Sequence, residues 1–151
     1  MAKRSIMLPG SVLFACSENA LRSPIAEALL KHHHSTRIFV QSVGVRAGEL
    51  DGFACAVMQE IGLDISKHTP KSFEELTDNY FDVVISLSPE AQHRSVELTR
   101  NAPIELEYWA LPDPSAIEAP RTQRLEAYRE LRDGLHTKIR DRFPMPGIAA
   151  R

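Results

Sequence analysis

The apolar run Val12-Leu13-Phe14-Ala15 ends abruptly at Cys16, and Arg22 follows six positions later with Ser23-Pro24 directly behind it. A thiol, a guanidinium and a short loop between them suit one kind of chemistry, the attack of a thiolate on a tetrahedral oxyanion. The loop amides between Ser17 and Arg22 can turn inward as an anion nest. A helix starting near Ser23 adds its positive end, and the Ser23 hydroxyl can hydrogen-bond the sulfur. Arg22 offers a planar fork that holds two oxygens at once, which lysine does not copy. Asn19 tolerates left-handed backbone and can brace the loop through its amide. The candidate oxyanion-binding set is therefore Ser17, Glu18, Asn19, Ala20, Leu21 and Arg22, with Cys16 as nucleophile. At Glu18 the backbone N–H is expected to face inward and the carboxylate to face solvent. A structural cysteine at a strand end beside a surface arginine has the same Cys-x5-Arg spacing. What separates the two readings is the strand before, the asparagine within and the Ser-Pro helix start after.

A second segment, Trp109-Ala110-Leu111-Pro112-Asp113-Pro114, places a carboxylate between two prolines. Each proline fixes its own φ and restricts the residue before it, so the loop is stiff and holds one acid in one place. Thiol-based phosphoryl chemistry needs such an acid, first to protonate the leaving oxygen and then to activate water. An Asp-Pro turn without chemistry looks the same in isolation. The pairing with the Cys16 loop is what gives Asp113 its candidate role.

These residues need a scaffold, and strand and helix patterns alternate along the chain. Strands are expected over 11–15, 37–43 and 81–87, with a fourth carrying Ile104, Leu106 and Tyr108. A helix is expected from Pro24 to about Lys31, capped by Ser23. A second carries Ala54, Val57, Met58 and Ile61 and stops at Gly62. Ser72-Phe73-Glu74-Glu75 matches a capping box, and Ser88-Pro89 opens another helix. A long last helix carries Leu125, Tyr128, Leu131, Leu135 and Ile139 on one face and ends before Pro144 and Pro146. Strands alternating with helices point to an α/β fold: one domain over 1–151, three-layered, with a central four-stranded parallel sheet and helices on both faces. In such sheets ligands bind beyond the carboxyl ends of the strands, so the loops after Cys16 and Trp109 should open on one rim.

Composition narrows the function classes. The chain has 151 residues, 43% hydrophobic and 25% charged, with a net charge of −2. That gives no general drive toward nucleic acid or an anionic membrane. No apolar run approaches a membrane span, and the basic stretch Met1 to Met7 makes a poor signal peptide. Two cysteines build no disulfide framework, and a cytoplasmic location is the natural expectation. Cys55 falls in a helix pattern and reads as core. His32-His33-His34 point in different directions on a helix, so no metal site is expected there. The basic residues of the last helix, Arg132 among them, are mixed with acids and read as a solvated face.

The Cys16 loop resembles the active-site loop of the low-molecular-weight protein tyrosine phosphatases and the related arsenate reductases. That loop reads Cys-x-x-Asn-x-x-Arg-Ser, and Cys16, Asn19, Arg22 and Ser23 stand in register with it. The resemblance implies a phosphotyrosine protein phosphatase I-like fold and a phosphocysteine intermediate. It implies Cys16, Arg22 and Asp113 as the catalytic set, with a phosphorylated protein or small phosphomonoester as substrate and no cofactor or metal. Gly62-Leu63-Asp64-Ile65-Ser66-Lys67-His68 resembles the family's Gly-(Ile/Leu)-Asp-Ile-Ser-x-His stretch. By that match His68 and Ser42 support Asn19, with Ser23 tuning the thiolate. The chain departs from relatives in five places. Glu18 stands where glycine is common, and Arg46–Leu50 lacks the tryptophan found in some members. Leu21 stands where many carry a second cysteine. Ser115 and Ala116 stand where tyrosine phosphatases often place aromatics. Ser86-Leu87-Ser88 lacks the cysteines of thioredoxin-coupled arsenate reductases. Three functions stay open at this point: a phosphatase, an arsenate reductase using an external small thiol, and an oxyanion or phosphoprotein binder without turnover.

Overall fold

The first strand, β1 (Ser11–Cys16), is buried from Val12 onward on both faces, which is why it reads as an unbroken apolar run rather than an alternating one. It pairs in parallel with β2 (Phe39–Gly44) on one side and β3 (Val83–Ser86) on the other. β4 (Glu105–Tyr108) pairs in parallel with β3, giving the order β2-β1-β3-β4. The computed structural model describes residues 8–77, 80–100 and 102–145. The expectations placed on 1–7 and on Pro146 lie outside these residues.

Four α-helices cover this sheet among the described residues: α1 (Arg22–His34), α2 (Gly52–Glu60), α3 (Pro89–Val96) and α4 (Arg121–Arg142). Val12, Phe14, Val83 and Ile85 face α1, α2 and α4 in one apolar cluster. Leu13, Ala15 and Val84 face the other way, against Ala91 of α3 together with Phe73, Phe81 and Ile104. The three layers expected from the sequence are therefore present. From β1 the sheet grows toward β2 on one side and β3 on the other, so the crevice above its carboxyl end is a topological switch point. Cys16 is the residue that sits there. None of the described helices is long and apolar enough to cross a membrane.

Local rules explain most of the elements. Asp51 caps α2 by accepting from the amides of Phe53 and Ala54, and Gly62 takes the turn after it with φ +80. Ser72 and Glu75 form the expected capping box around a short 3-10 turn, and Ser88 caps α3 through the Ala91 amide. Tyr128, Leu131, Leu135 and Ile139 are buried along α4 at helical spacing.

Other expectations are corrected. α1 starts at Arg22, ahead of Pro24, and Ser23 is not its cap: Leu21 holds that position with no side-chain hydrogen bond. The Ser23 hydroxyl is instead drawn to Cys16 and Asn19. β2 starts at Phe39 because the Arg37 amide is taken by the His34 carbonyl. Ile61, expected within the second helix, lies beyond the end of α2 and is 41% exposed. Arg132 is not solvated. It is buried, donating to the Val57 carbonyl at 2.8 Å and to Glu60 at 2.8 Å. Hydrogen bonds from Arg129 and Arg132 pull the Glu60 carboxyl down to about 2.

The histidines at the end of α1 do structural work. His34 Nε2 meets the Phe143 carbonyl at 2.7 Å, and His33 Nε2 meets His136 Nε2 of α4 at 2.8 Å. Two imidazolium rings cannot share that contact, because one nitrogen must accept. Burial, then the neighbouring cations, hold both rings below the ordinary histidine pKa; His136, His32, His34 and Arg140 act on His33, while Arg140, His32 and Arg132 act on His136, against Asp133. The unfolded chain therefore takes up protons first as pH falls, and stability is lost below about pH 6.5. Melting temperature should fall as pH drops from about 7.5 to 5.5, and His136→Gln should flatten that slope. Equal slopes for the two proteins would rule out the pair as the cause.

Candidate active site

The loop between β1 and α1 is held from outside by its carbonyls. Those of Cys16, Ser17, Glu18 and Ala20 accept from the amides of Val45, Arg46, Gly48 and Asp51 at 2.9–3.0 Å. With its carbonyls turned out, the loop turns its own N–H groups the other way. No amide from Ser17 to Leu21 donates to another group among the described residues. The result is a nest of N–H dipoles suited to an anion. Gly44 makes the approach possible: a Cβ there would lie 2.6 Å from both the Arg46 carbonyl oxygen and the Asn19 nitrogen.

Asn19 is the keystone, with φ +54. Left-handed backbone costs a non-glycine residue about 1–2 kcal/mol, and four hydrogen bonds from the Asn19 side chain offset that. Its Oδ1 accepts from the Lys71 amide at 2.9 Å and from His68 Nε2 at 3.0 Å. Its Nδ2 donates to the hydroxyls of Ser42 and Ser23, each at 2.9 Å. The Lys71 N–H can only donate, so it fixes which end of the amide is oxygen. His68 must then carry its proton on Nε2.

The same logic runs on to the sulfur. The Ser42 hydroxyl donates to Glu27 Oε1 at 2.5 Å, so its lone pairs are free for Asn19. Ser23 accepts from Asn19, which frees its own proton for Cys16 Sγ at 2.9 Å; the Val43 carbonyl at 3.4 Å is the longer option. Glu27 is the member that sequence reasoning missed. It is buried, accepts the Lys31 ammonium at 2.7 Å and lies 3.9 Å from His68 Nδ1. The available signal was a lone carboxylate in the apolar run 24–30, four residues after Ser23 and so on the same helical face. Burial lowers the His68 pKa, with Glu27 acting in the opposite direction.

Arg22 is buried and clamped at its base. Its Nη1 donates to the carbonyls of Leu87 and Leu111 at 3.3 and 3.1 Å, so the ends of the β3 and β4 segments aim it. Its Nη2 lies 3.8 Å from Asp113 Oδ2. The other oxygen, Asp113 Oδ1, accepts from the Ser115 amide at 3.0 Å and the Ser115 hydroxyl at 2.6 Å. This leaves Oδ2 turned toward the arginine. Trp109 packs away from this space, with its ring 6.1 Å from that of Phe14.

These groups meet in one cavity of about 280 Å³, lined by the loop residues Cys16, Ser17, Glu18, Ala20, Leu21 and Arg22 together with Arg46, Glu49, Asp51, Asp113 and Ser115. Asn19, Ser23, Ser42 and His68 stand behind the loop rather than in the cavity. The Glu18 carboxylate is half-exposed at the rim, 3.7 Å from Arg46. Cys55 does not line the cavity; it is a free, half-buried thiol that burial pushes up in pKa.

Fold and site together define a class: three-layer α/β domains with a cysteine-bearing anion loop at the carboxyl end of the central strand. Residues 11–142 match the family model described as "Low molecular weight phosphotyrosine protein phosphatase". The chain belongs to this family. Among curated relatives it is 31% identical over 129 residues to an arsenate reductase of Shouchella clausii, covering 85% of this chain and 91% of that protein. It is also 31% identical over 128 residues to a glutaredoxin arsenate reductase of Synechocystis, covering 85% and 92%. Among solved structures, the arginine phosphatase YwlE of Geobacillus stearothermophilus superposes with a TM-score of 0.72 at 27% identity, covering 89% of this chain and 90% of that one.

Proposed function

We propose that this protein hydrolyses phosphomonoesters, phosphotyrosine protein among them, through a phosphocysteine at Cys16. The observation that carries the reading is that the cavity is lined by a single thiol, Cys16, and that the Asp113 carboxylate faces the clamped Arg22 guanidinium there. That set completes hydrolysis without help. The Cys16 thiolate attacks phosphorus, forming the S–P bond as the P–O bond to the leaving group breaks. Asp113 gives its proton to the departing oxygen. Water then attacks the phosphocysteine and yields its proton to Asp113; the S–P bond breaks and the thiolate returns. Arg22 and the loop amides hold the equatorial oxygens through both steps, which is where most of the rate of phosphoryl transfer comes from.

The curated relatives support a second reading, arsenate reduction. Reducing arsenate to arsenite takes two electrons and therefore two thiols. Cys16 supplies one through an S–As adduct. The second, which attacks the Cys16 sulfur as arsenite leaves, must come from an external small thiol or a thiol protein, because Leu21 and Leu87 offer none. The single thiol of the cavity favours hydrolysis, and the relatives favour reduction.

The two readings part at Asp113. Asp113→Asn should lower kcat/KM, which reports the step that breaks the P–O bond, by about 10²–10⁴-fold for phenyl phosphate, and by less for p-nitrophenyl phosphate, whose leaving group needs little protonation. Equal losses of kcat/KM on both esters would remove Asp113 from proton transfer to the leaving group. Arsenate-dependent oxidation of a small thiol by the wild type, with no phosphate released from any ester, would establish reduction instead.

A further inference from the structure

The cradle grips the phosphoryl group, but the rim above it meets whatever that group is attached to. Four carboxylates lie around this cavity, those of Glu18, Glu49, Asp51 and Asp113, against two guanidiniums, Arg22 and Arg46. The cations are largely committed. Arg46 bridges Glu90 at 2.8 Å and Glu18 at 3.7 Å, and Arg22 lies within the cradle, where a bound phosphate neutralises it. Asp51 is also committed, since Oδ1 caps α2 and Oδ2 accepts the Tyr128 hydroxyl at 2.6 Å. Glu49 is different: it is exposed at the mouth and makes no ion pair among the described residues. A buried guanidinium suits the cavity floor to an anion: Arg22 is 8% exposed, and among the described residues the nearest carboxylate to its Nη2 is Asp113 at 3.8 Å. Once a phosphate dianion occupies the floor, the rim is left net negative. Among the described residues no aromatic ring lines this cavity to stack against an aryl group.

We infer that the rim selects phosphorylated polypeptide segments whose residues next to the phosphorylated side chain are basic, and that Glu49 is the specificity-determining carboxylate. This rests on the phosphatase reading and names the substrate class of that same site. An exposed pair of opposite charges at this rim steers encounter and discriminates between flanks while leaving the chemical step to the cradle. The preference is therefore a low-salt property that fades as ionic strength rises.

The test uses two phosphotyrosine peptides of equal length, one flanked by Arg and Lys and one by Glu and Asp, with p-nitrophenyl phosphate alongside. The ratio of kcat/KM for the two peptides cancels any loss of folded enzyme. Wild type should favour the basic peptide by about fivefold at low salt. Glu49→Gln should shrink the ratio and Glu49→Lys should invert it. Equal turnover of the two peptides, or a wild-type ratio surviving in Glu49→Lys, overturns the inference and leaves hydrolysis standing. If neither peptide nor p-nitrophenyl phosphate is turned over, the hydrolytic reading fails and the inference falls with it.

Discussion

Cys16→Ser is expected to lower kcat for p-nitrophenyl phosphate by about 10³-fold or more while leaving phosphate binding nearly intact. The two halves of that expectation come from different atoms. Cys16 contributes the nucleophile, and a serine oxygen in the same place is far harder to ionise. The cradle that binds the oxyanion is made of the loop amides and Arg22, none of which passes through the sulfur. Its shape is set from behind by Asn19, Ser42, His68 and Glu27, and among the described residues only the Ser23 hydroxyl hydrogen-bonds the Cys16 sulfur. A calorimetric titration with inorganic phosphate should give a similar Kd for the variant and the wild type. Residual activity above about a tenth of wild type would place the nucleophile elsewhere, since loss of a true nucleophile costs orders of magnitude more.

Arg22→Lys is expected to cost about 10²–10³-fold in kcat/KM, despite keeping the charge. Lysine brings one point charge where Arg22 brings a fork aimed by two carbonyls. The change also leaves the Leu87 and Leu111 carbonyls without their donor. An unsatisfied buried acceptor costs about 1–3 kcal/mol, so the melting temperature should fall as well. Because Leu111 belongs to the segment that carries Asp113, the acid loosens together with the cradle. The variant should thus lose kcat as well as phosphate affinity. An Arg22→Lys protein within threefold of wild type in kcat/KM would mean that the fork is not used.

What the sequence disclosed depended on whether the signal was local. Cys16, Asn19, Arg22 and Ser23 lie on one loop, so their spacing carries their geometry. Asp113 announces itself through the prolines on either side. Ser42 and His68 came only through a family resemblance, because their meeting depends on the register Phe14↔Ser42 and on the path of the chain after α2. Glu27 and Arg132 were missed for one reason: each is a charge buried by tertiary packing, which no local pattern encodes. Ser23 shows the opposite failure. The Ser-Pro pair is a sound capping signal by local rules, but the hydroxyl is worth more bonded to the sulfur and Asn19 than to the helix end. The parallel sheet and its three layers followed from alternation, whereas the strand order and the exact strand ends did not, since the ends are set by single carbonyls such as that of His34.

The most direct test of the account is phosphate release from p-nitrophenyl phosphate by the reduced wild-type protein, with no free thiol present during the assay. The Cys16 thiol and the Asp113 acid beside Arg22 predict many turnovers per enzyme with no net thiol oxidation, all lost in Cys16→Ser. Absence of phosphate release from folded, reduced protein across about pH 5–7, with arsenate reduced once a small thiol is supplied, would contradict it.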